Sequence, residues 1–320
     1  MLSKNIYEKN IKTKSTRDGF GEAILELGKK NKDVVVVSAD LAESTRVHNF
    51  AKKYPNRFFE VGVAEQNAMG IAAGLALADK IPYIASFGVF SPGRNWDQLR
   101  VSVAYSKANV KIAASHTGLS VGQDGASHQA LEDIAIVRTL PNMTIIVPCD
   151  YNETKKATIA AAKIKGPTYL RFGRPASPIM TTKASKFEIG KANVLLKGSD
   201  ITIVASGPIL YEALLAAKEL KNKKIKAEII NLHTIKPLDK STILRSVKKT
   251  KKLVTVEDHQ IAGGMGSTVV EMLSENFPVP TQMIGVRDSF GESGKPEELW
   301  DKYGLSYPHI IKAVLKLIKK

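Results

Sequence analysis

Residues 58–79, FFEVGVAEQNAMGIAAGLALAD, join a short β-like run to a helical run built from Ala, Gly, Leu, Ile and Met. Side chains this small let another backbone approach closely, and the apolar flanks imply burial. One carboxylate, Glu65, stands where the helix begins. A carboxylate at the head of a buried helix is costly unless it has a partner or a task. The plain alternative is an acid favoured by the positive end of the helix dipole. The rest of the chain has to decide between them.

Working outward, strands and helices alternate. Before this stretch come a helix (GFGEAILELGKKN), a strand (DVVVVSAD) and a loop with a short helix (LAESTRVHNFAKKY). After it come strand IPYIASFG, helix WDQLRVSVAYSKA, strand VKIAASH and a glycine-rich loop, TGLSVGQDGASH. Helix QALEDIAIVRTL, strand MTIIVPCD, helix NETKKATIAAAKIK and strand PTYLRF complete the unit. Buried Val/Ile runs alternating with helices predict a parallel, doubly wound sheet. Ligands of such sheets lie beyond the carboxyl ends of the strands. Polar motifs follow strands here, at residues 38–40, from Phe87, from His116 and at residues 171–174.

A segment rich in Pro, Gly, Ser and Thr, GRPASPIMTTKASKFEIG, reads as a linker. A second alternating unit follows it. The expected fold class is therefore α/β, with two doubly wound domains. The expected organisation is a polar, loose lead-in over 1–14, a first domain over 15–178, a linker over 179–189 and a second domain over 190–320.

Composition narrows the function classes. The apolar runs are too short or interrupted to span a bilayer, and no signal peptide opens the chain, so neither a membrane role nor secretion is expected. A single cysteine, Cys149, excludes an internal disulfide and a multi-cysteine metal site, and fits a reducing cytoplasm. The net charge of +16 raises the question of nucleic acid. The basic residues are scattered, mostly Lys, with no stripe interleaved with aromatics. A solvated surface is the expectation, and no nucleic-acid partner. Anionic small substrates would also profit from it.

Residues 115–135, SHTGLSVGQDGASHQALEDIA, place His116, Asp124 and His128 on one loop punctuated by Gly118, Gly122 and Gly125. Those glycines permit turns that fold the loop back on itself. Two imidazoles and a carboxylate suit metal binding, proton transfer or the grip of a polyhydroxylated substrate.

This stretch resembles the transketolase family, whose H-x-x-x-G-x-G-x-D-G-x-x-H-Q pattern stands here as HTGLSVGQDGASHQ, with Ser120 at the first glycine position. Other motifs agree in order. Thr16-Arg17-Asp18 resembles the family's arginine before the first helix, SADLAES its A-D-L-x-x-S, and GVAEQN its G-V-x-E-x-N/H. SFGVFSPGRNWDQLR, FGRP and VEDHQIAGGMG resemble three further family motifs. The resemblance runs from about Ser15 over nearly the whole chain. Gly-Asp-Gly, the family's signature for holding Mg²⁺ on the cofactor's diphosphate, does not occur. The chain thus resembles the C-terminal half of a transketolase, a pyrimidine-binding domain plus a C-terminal domain, as found in split transketolases.

The resemblance implies a thiamine diphosphate enzyme that moves a two-carbon ketol unit between sugar phosphates. It implies Glu65 as the acid on the aminopyrimidine, Phe87 and Phe90 packed on that ring, and Asp40 near the cofactor. The family often has a further aromatic where this chain reads SPGRNW. Trp96 is a candidate for it and equally a candidate core residue. Arg17, Ser44, His116 and Arg174 match the family's phosphate-binding positions. Asp124 matches the contact to the donor's C2 hydroxyl, and His128 the residue near its C1 oxygens. Arg171 reads as a bystander. His259 and the 263–266 turn, GGMG, read as close helix–strand packing rather than a nucleotide site. An N-terminal partner subunit would hold the Mg²⁺ and diphosphate in an α2β2 assembly, with this chain holding no metal. Rival readings are the β subunit of a 2-oxo acid dehydrogenase, half of a deoxyxylulose-phosphate synthase, which lacks the leading His116, and a non-catalytic partner.

Overall fold

The computed structural model describes residues 2–8 and 10–319. It is α/β, with two largely parallel sheets. The larger sheet has seven strands, in the order Thr234–Lys236, Thr144–Ile146, Thr168–Arg171, Lys111–Ser115, Ile81–Phe87, Val34–Ser38 and Phe58–Glu60. The central strands Val34–Ser38 and Lys111–Ser115 are buried at every position, as continuous apolar strands covered on both faces must be. The chain runs from Val34–Ser38 outward to Phe58–Glu60, then returns to lay Ile81–Phe87 on the other side. That reversal opens a crevice at the carboxyl ends of Val34–Ser38 and Ile81–Phe87, where ligands of doubly wound sheets bind.

The second sheet runs Thr281–Val286, Leu253–Gln260, Ile201–Ala205, Ala227–Asn231 and Asn193–Leu196, the last antiparallel. The run KAEIINLHTI at residues 226–235 divides between the sheets. Ala227–Asn231 stays in the smaller sheet, and Thr234–Lys236 crosses to pair antiparallel with Thr144–Ile146. The two halves also share a core: Val103, Val110 and Ile145 belong to the same buried cluster as Ile230, Met265 and Val269.

Local differences from the sequence reading have physical causes. Thr13–Ser15, at the end of the expected lead-in, pairs with Ala176–Pro178, and Ile6 is buried against Met180 and Ile209. The expected helix at residues 96–108 makes one α turn at Trp96–Gln98 and then winds as a π-helix over Leu99–Tyr105. Helix Glu65–Leu77 buries Ala68, Met69, Ala72 and Ala73, while Leu77 and the preceding Val63 are 72% and 68% exposed. The helix is thus covered on one side only. Among the described residues no helix is long and apolar enough to cross a membrane.

Candidate active site

The polar motifs converge because each follows a strand of the larger sheet at its carboxyl end. Asp40 follows Val34–Ser38, Glu65 follows Phe58–Glu60, Phe90 follows Ile81–Phe87, His116 follows Lys111–Ser115, and Arg174 follows Thr168–Arg171. Two of them, Asp40 and His116, have positive φ, at 58° and 55°. Non-glycine residues hold that conformation only where surroundings enforce it, commonly at functional sites.

Glu65 is the first residue of its helix and 3% exposed. Its carboxylate takes two hydrogen bonds from Arg94 Nη1, at 3.0 and 3.2 Å. Its backbone carbonyl accepts from Asn95 Nδ2 at 3.2 Å. Arg94 lies over the Phe90 ring, 4.0 Å from its centroid. A cleft of about 480 Å³ opens here, lined by Val63, Ala64, Glu65, Gln66, Asn67 and Arg94. Glu65 is therefore buried yet borders a cleft, and its buried charge is paired. Arg94 belongs to SPGRNW, the stretch where the family often has a further aromatic, and its pairing with Glu65 is not visible in the sequence. Trp96 instead packs against the core and donates Nε1–H to the carbonyl of Ile136, so the core reading holds for it.

Four rings cluster about Phe87 and Phe90, and Arg94 covers the second of these. Phe87 and Phe90 lie 5.8 Å apart at 19°, and the His116 ring lies 3.8 Å from Phe87 at 21°. His128 meets Phe90 edge-on at 5.4 Å. His116 is buried, and its Nδ1 is 2.8 Å from Ser115 Oγ. Burial first, then the charges of Arg17, Arg174, His128 and Arg46, push its imidazole down to about 3. At neutral pH it is uncharged. His128 Nδ1 lies 2.9 Å from Ser127 Oγ.

Cations gather on the far side. Arg17 donates Nη1–H to the carbonyl of Ser44 at 3.0 Å, and its buried Nε has no protein partner among the described residues. Arg174 bonds the carbonyl of Val121 at 3.0 Å and Asp124 Oδ1 at 3.2 Å. The Asp124 interaction joins two sequence-predicted residues. Asp40 donates its N–H to Glu60 Oε1 at 2.7 Å. Arg171, expected to be a bystander to the phosphate group, is buried and bonds Asp133 at 2.8 Å and the carbonyls of Ala130 and Asp258, tying the two halves together.

The 263–266 turn has the packing role expected of it. A Cβ on Gly264 would lie 2.2 Å from Glu257 Oε2, and one on Gly266 2.6 Å from Thr255 Oγ1. Glu257 accepts N–H bonds from Met265 and Gly266 at 2.6 and 2.8 Å, so a carboxyl group of the chain already fills the turn. Among the described residues no group of three or more His, Cys, Asp or Glu is placed to hold a metal ion.

Residues 12–179 match the transketolase pyrimidine-binding domain, and residues 190–310 match the transketolase C-terminal domain. The chain belongs to the transketolase family. Transketolases depend on thiamine diphosphate. A protein of Methanocaldococcus jannaschii described as "Putative transketolase C-terminal section" is 48% identical over 96% of this chain and 97% of its own length. An apulose-4-phosphate transketolase subunit of Phocaeicola vulgatus is 40% identical over 95% of this chain and 97% of its own. A solved split-gene transketolase, described as an inactive beta4 tetramer, superimposes with a TM-score of 0.87 at 44% identity, covering 95% of this chain and 98% of that one. These relatives align end to end with this chain, which is thus a split transketolase-like subunit.

Proposed function

We propose that this chain is the C-terminal subunit of a split transketolase, moving a two-carbon ketol unit between sugar phosphates when joined to an N-terminal subunit that carries Gly-Asp-Gly. The observation that carries the reading is Glu65: a buried carboxylate bordering a cleft, joined through Arg94 to the Phe90 ring of the Phe87–Phe90 pair. That donor set suits an aminopyrimidine, which needs one carboxylic acid at a ring nitrogen and apolar faces along the ring. Thiamine diphosphate, when bound, supplies the nucleophilic carbon at C2.

Each residue then has a task. Glu65, once Arg94 yields its carboxylate to the ring, holds and returns a proton at the nitrogen N1′. Phe87 and Phe90 exclude water and orient the ring. Asp40 helps border the cofactor. Arg17, Ser44, His116 and Arg174 receive the donor's phosphate, with the two guanidinium groups supplying charge and the neutral His116 a hydrogen bond. Asp124 orients the C2 hydroxyl, and His128 the C1 oxygens beside the reacting carbonyl. The Mg²⁺ and diphosphate belong to the partner in an α2β2 complex, and a cytoplasmic location fits sugar-phosphate chemistry. The division at 15–178 and 190–320 is part of the same proposal.

Co-expression with the N-terminal subunit tests this. The complex is expected to convert xylulose 5-phosphate and ribose 5-phosphate, with native mass giving two copies of each chain. Strong activity in a preparation shown by mass spectrometry to lack the partner would overturn the division of labour. A fully loaded complex without ketol transfer would overturn the function.

A further inference from the structure

The loop bearing His116, Asp124 and His128 is irregular, with Gly118, Gly122 and Gly125 at φ of 78°, 82° and 72°. Within the first half it is held by Gly118 N–H to the carbonyl of Ala130 at 2.9 Å, Gly122 N–H to that of Leu119 at 3.0 Å, Ser120 Oγ to that of Thr117 at 3.2 Å and Arg174 Nη1 to that of Val121 at 3.0 Å. None of these bonds engages the N–H groups of Leu119 and Ser120, which the second half of the chain satisfies. Both carboxylate oxygens of the buried Asp258 are spent on this loop: Oδ1 accepts from Leu119 N–H at 2.8 Å and Oδ2 from Ser120 N–H at 3.2 Å. Glycine is the only residue type that fits at Gly118, because a Cβ would lie 2.3 Å from Asp258 Oδ2. Asp258 is fixed from behind as well, since its carbonyl accepts from Arg171 Nη2 at 3.0 Å. Further along the loop, Gln129 Nε2 donates to the carbonyl of Glu292 at 2.9 Å.

We propose that Asp258 is a positioning residue for sugar binding: it sets the backbone of residues 118–120 from the second domain, and through it the placement of His116 and Asp124. This rests on the transketolase reading above. The physical argument is accuracy. A carboxylate holding two successive backbone N–H groups fixes both distance and rotation of the segment, whereas either bond alone leaves the segment free to pivot. Catalytic groups displaced by about 1 Å lose up to roughly a hundredfold in rate. The second domain, which contributes no group to the proposed chemistry, thereby acquires a role in it.

The test is Asp258→Asn in the reconstituted complex. The amide keeps one acceptor oxygen but turns an N–H₂ toward a backbone N–H. Amide exchange at Leu119 and Ser120 is expected to quicken. KM for xylulose 5-phosphate is expected to rise with a smaller fall in kcat, lowering kcat/KM about ten- to hundredfold. Deuterium exchange at the cofactor's C2, which calls on Glu65 and not on this loop, is expected to stay at the wild-type rate. Gly118→Ala, which drives a methyl group into the same carboxylate, should repeat the pattern. Wild-type KM and kcat despite faster amide exchange overturn the proposal. So does a parallel loss of C2 exchange, turnover and Tm in both variants, which marks Asp258 as structural only. A wild-type complex without ketol transfer sinks the parent reading instead, and leaves the amide-exchange result standing.

Discussion

Glu65 separates chemistry from packing most cleanly, because Gln keeps its shape while losing the ionisable proton and the charge that Arg94 pairs with. Glu65→Gln is expected to slow deuterium exchange at the cofactor's C2 by ~10²–10⁴-fold in the complex, the usual worth of a positioned acid–base group. Ala should be equally inactive and less stable, since it also leaves a hole. Wild-type exchange in the Gln variant would reduce Glu65 to a helix-terminal acid. Arg17→Ala and Arg174→Ala should act differently, raising KM for phosphorylated donors with kcat largely kept, because they grip a part that does not react. A charge-assisted contact is worth about 1.5–3 kcal/mol, or roughly ten- to hundredfold in KM. Equal losses with a non-phosphorylated donor would count against the phosphate assignment. At this scale the sequence displayed the residue types well, since His116, Asp124 and His128 share one loop. It hid Arg94 and Asp258, whose partners are 29 and 139 residues away in the chain. Spacing reveals neighbours within a motif, and these contacts join separate motifs.

Two glycines on different helices make opposite forecasts. Gly264 precedes helix Met265–Asn276, and its missing side chain leaves room for the Glu257 carboxylate. Gly264→Ala should destabilise the chain by about 1–3 kcal/mol through overpacking, read as a lower urea midpoint at unchanged m. Gly70, inside helix Glu65–Leu77, has open space where a Cβ would stand, with nothing within 4 Å. Gly70→Ala should therefore stabilise the isolated chain by roughly 0.5–1 kcal/mol, the ordinary helical preference for Ala. If the uncovered face of that helix packs against another subunit, the same change should weaken assembly. Gain in the isolated chain together with loss in the complex is the expected pair. The alternation of elements was legible because long Val/Ile runs and amphipathic helices carry their own periodicity. Strand Thr234–Lys236 was not, because three residues have no periodicity, and only the meeting of the two halves gives it a partner.

Across the whole molecule, burial of ionisable groups where the halves meet makes stability depend on pH. His259 is fully buried with its Nδ1 2.7 Å from the carbonyl of Gln260, and Asp133 lies 3.7 Å from its Nε2. Burial outweighs the attraction of Asp133 and pushes His259 down to about 4, from an ordinary 6.5. His116 moves the same way, to about 3. Glu257 moves oppositely, pushed up by burial to about 7 from 4.5. The signs follow from linkage. A histidine with a depressed folded value contributes stability that is fully present above pH 6.5. That contribution is lost as pH falls through the folded value. Glu257 contributes stability fully present below pH 4.5 and lost as pH rises through 7, so it opposes the histidines between those limits. Removing one histidine isolates its share from the other groups. His259→Gln should make the fall in stability from pH 6.5 to 4 shallower by up to about 1.4 kcal/mol per pH unit, one proton's worth. Its absolute stability matters less than this slope, because the substitution also disturbs packing. Urea midpoints at fixed pH values measure the slope directly, with m-values confirming two-state unfolding. Parallel slopes for the two proteins would show that His259 already carries a proton in the folded chain, paired with Asp133, and that the charge at this junction is held by Arg171 and His259 together.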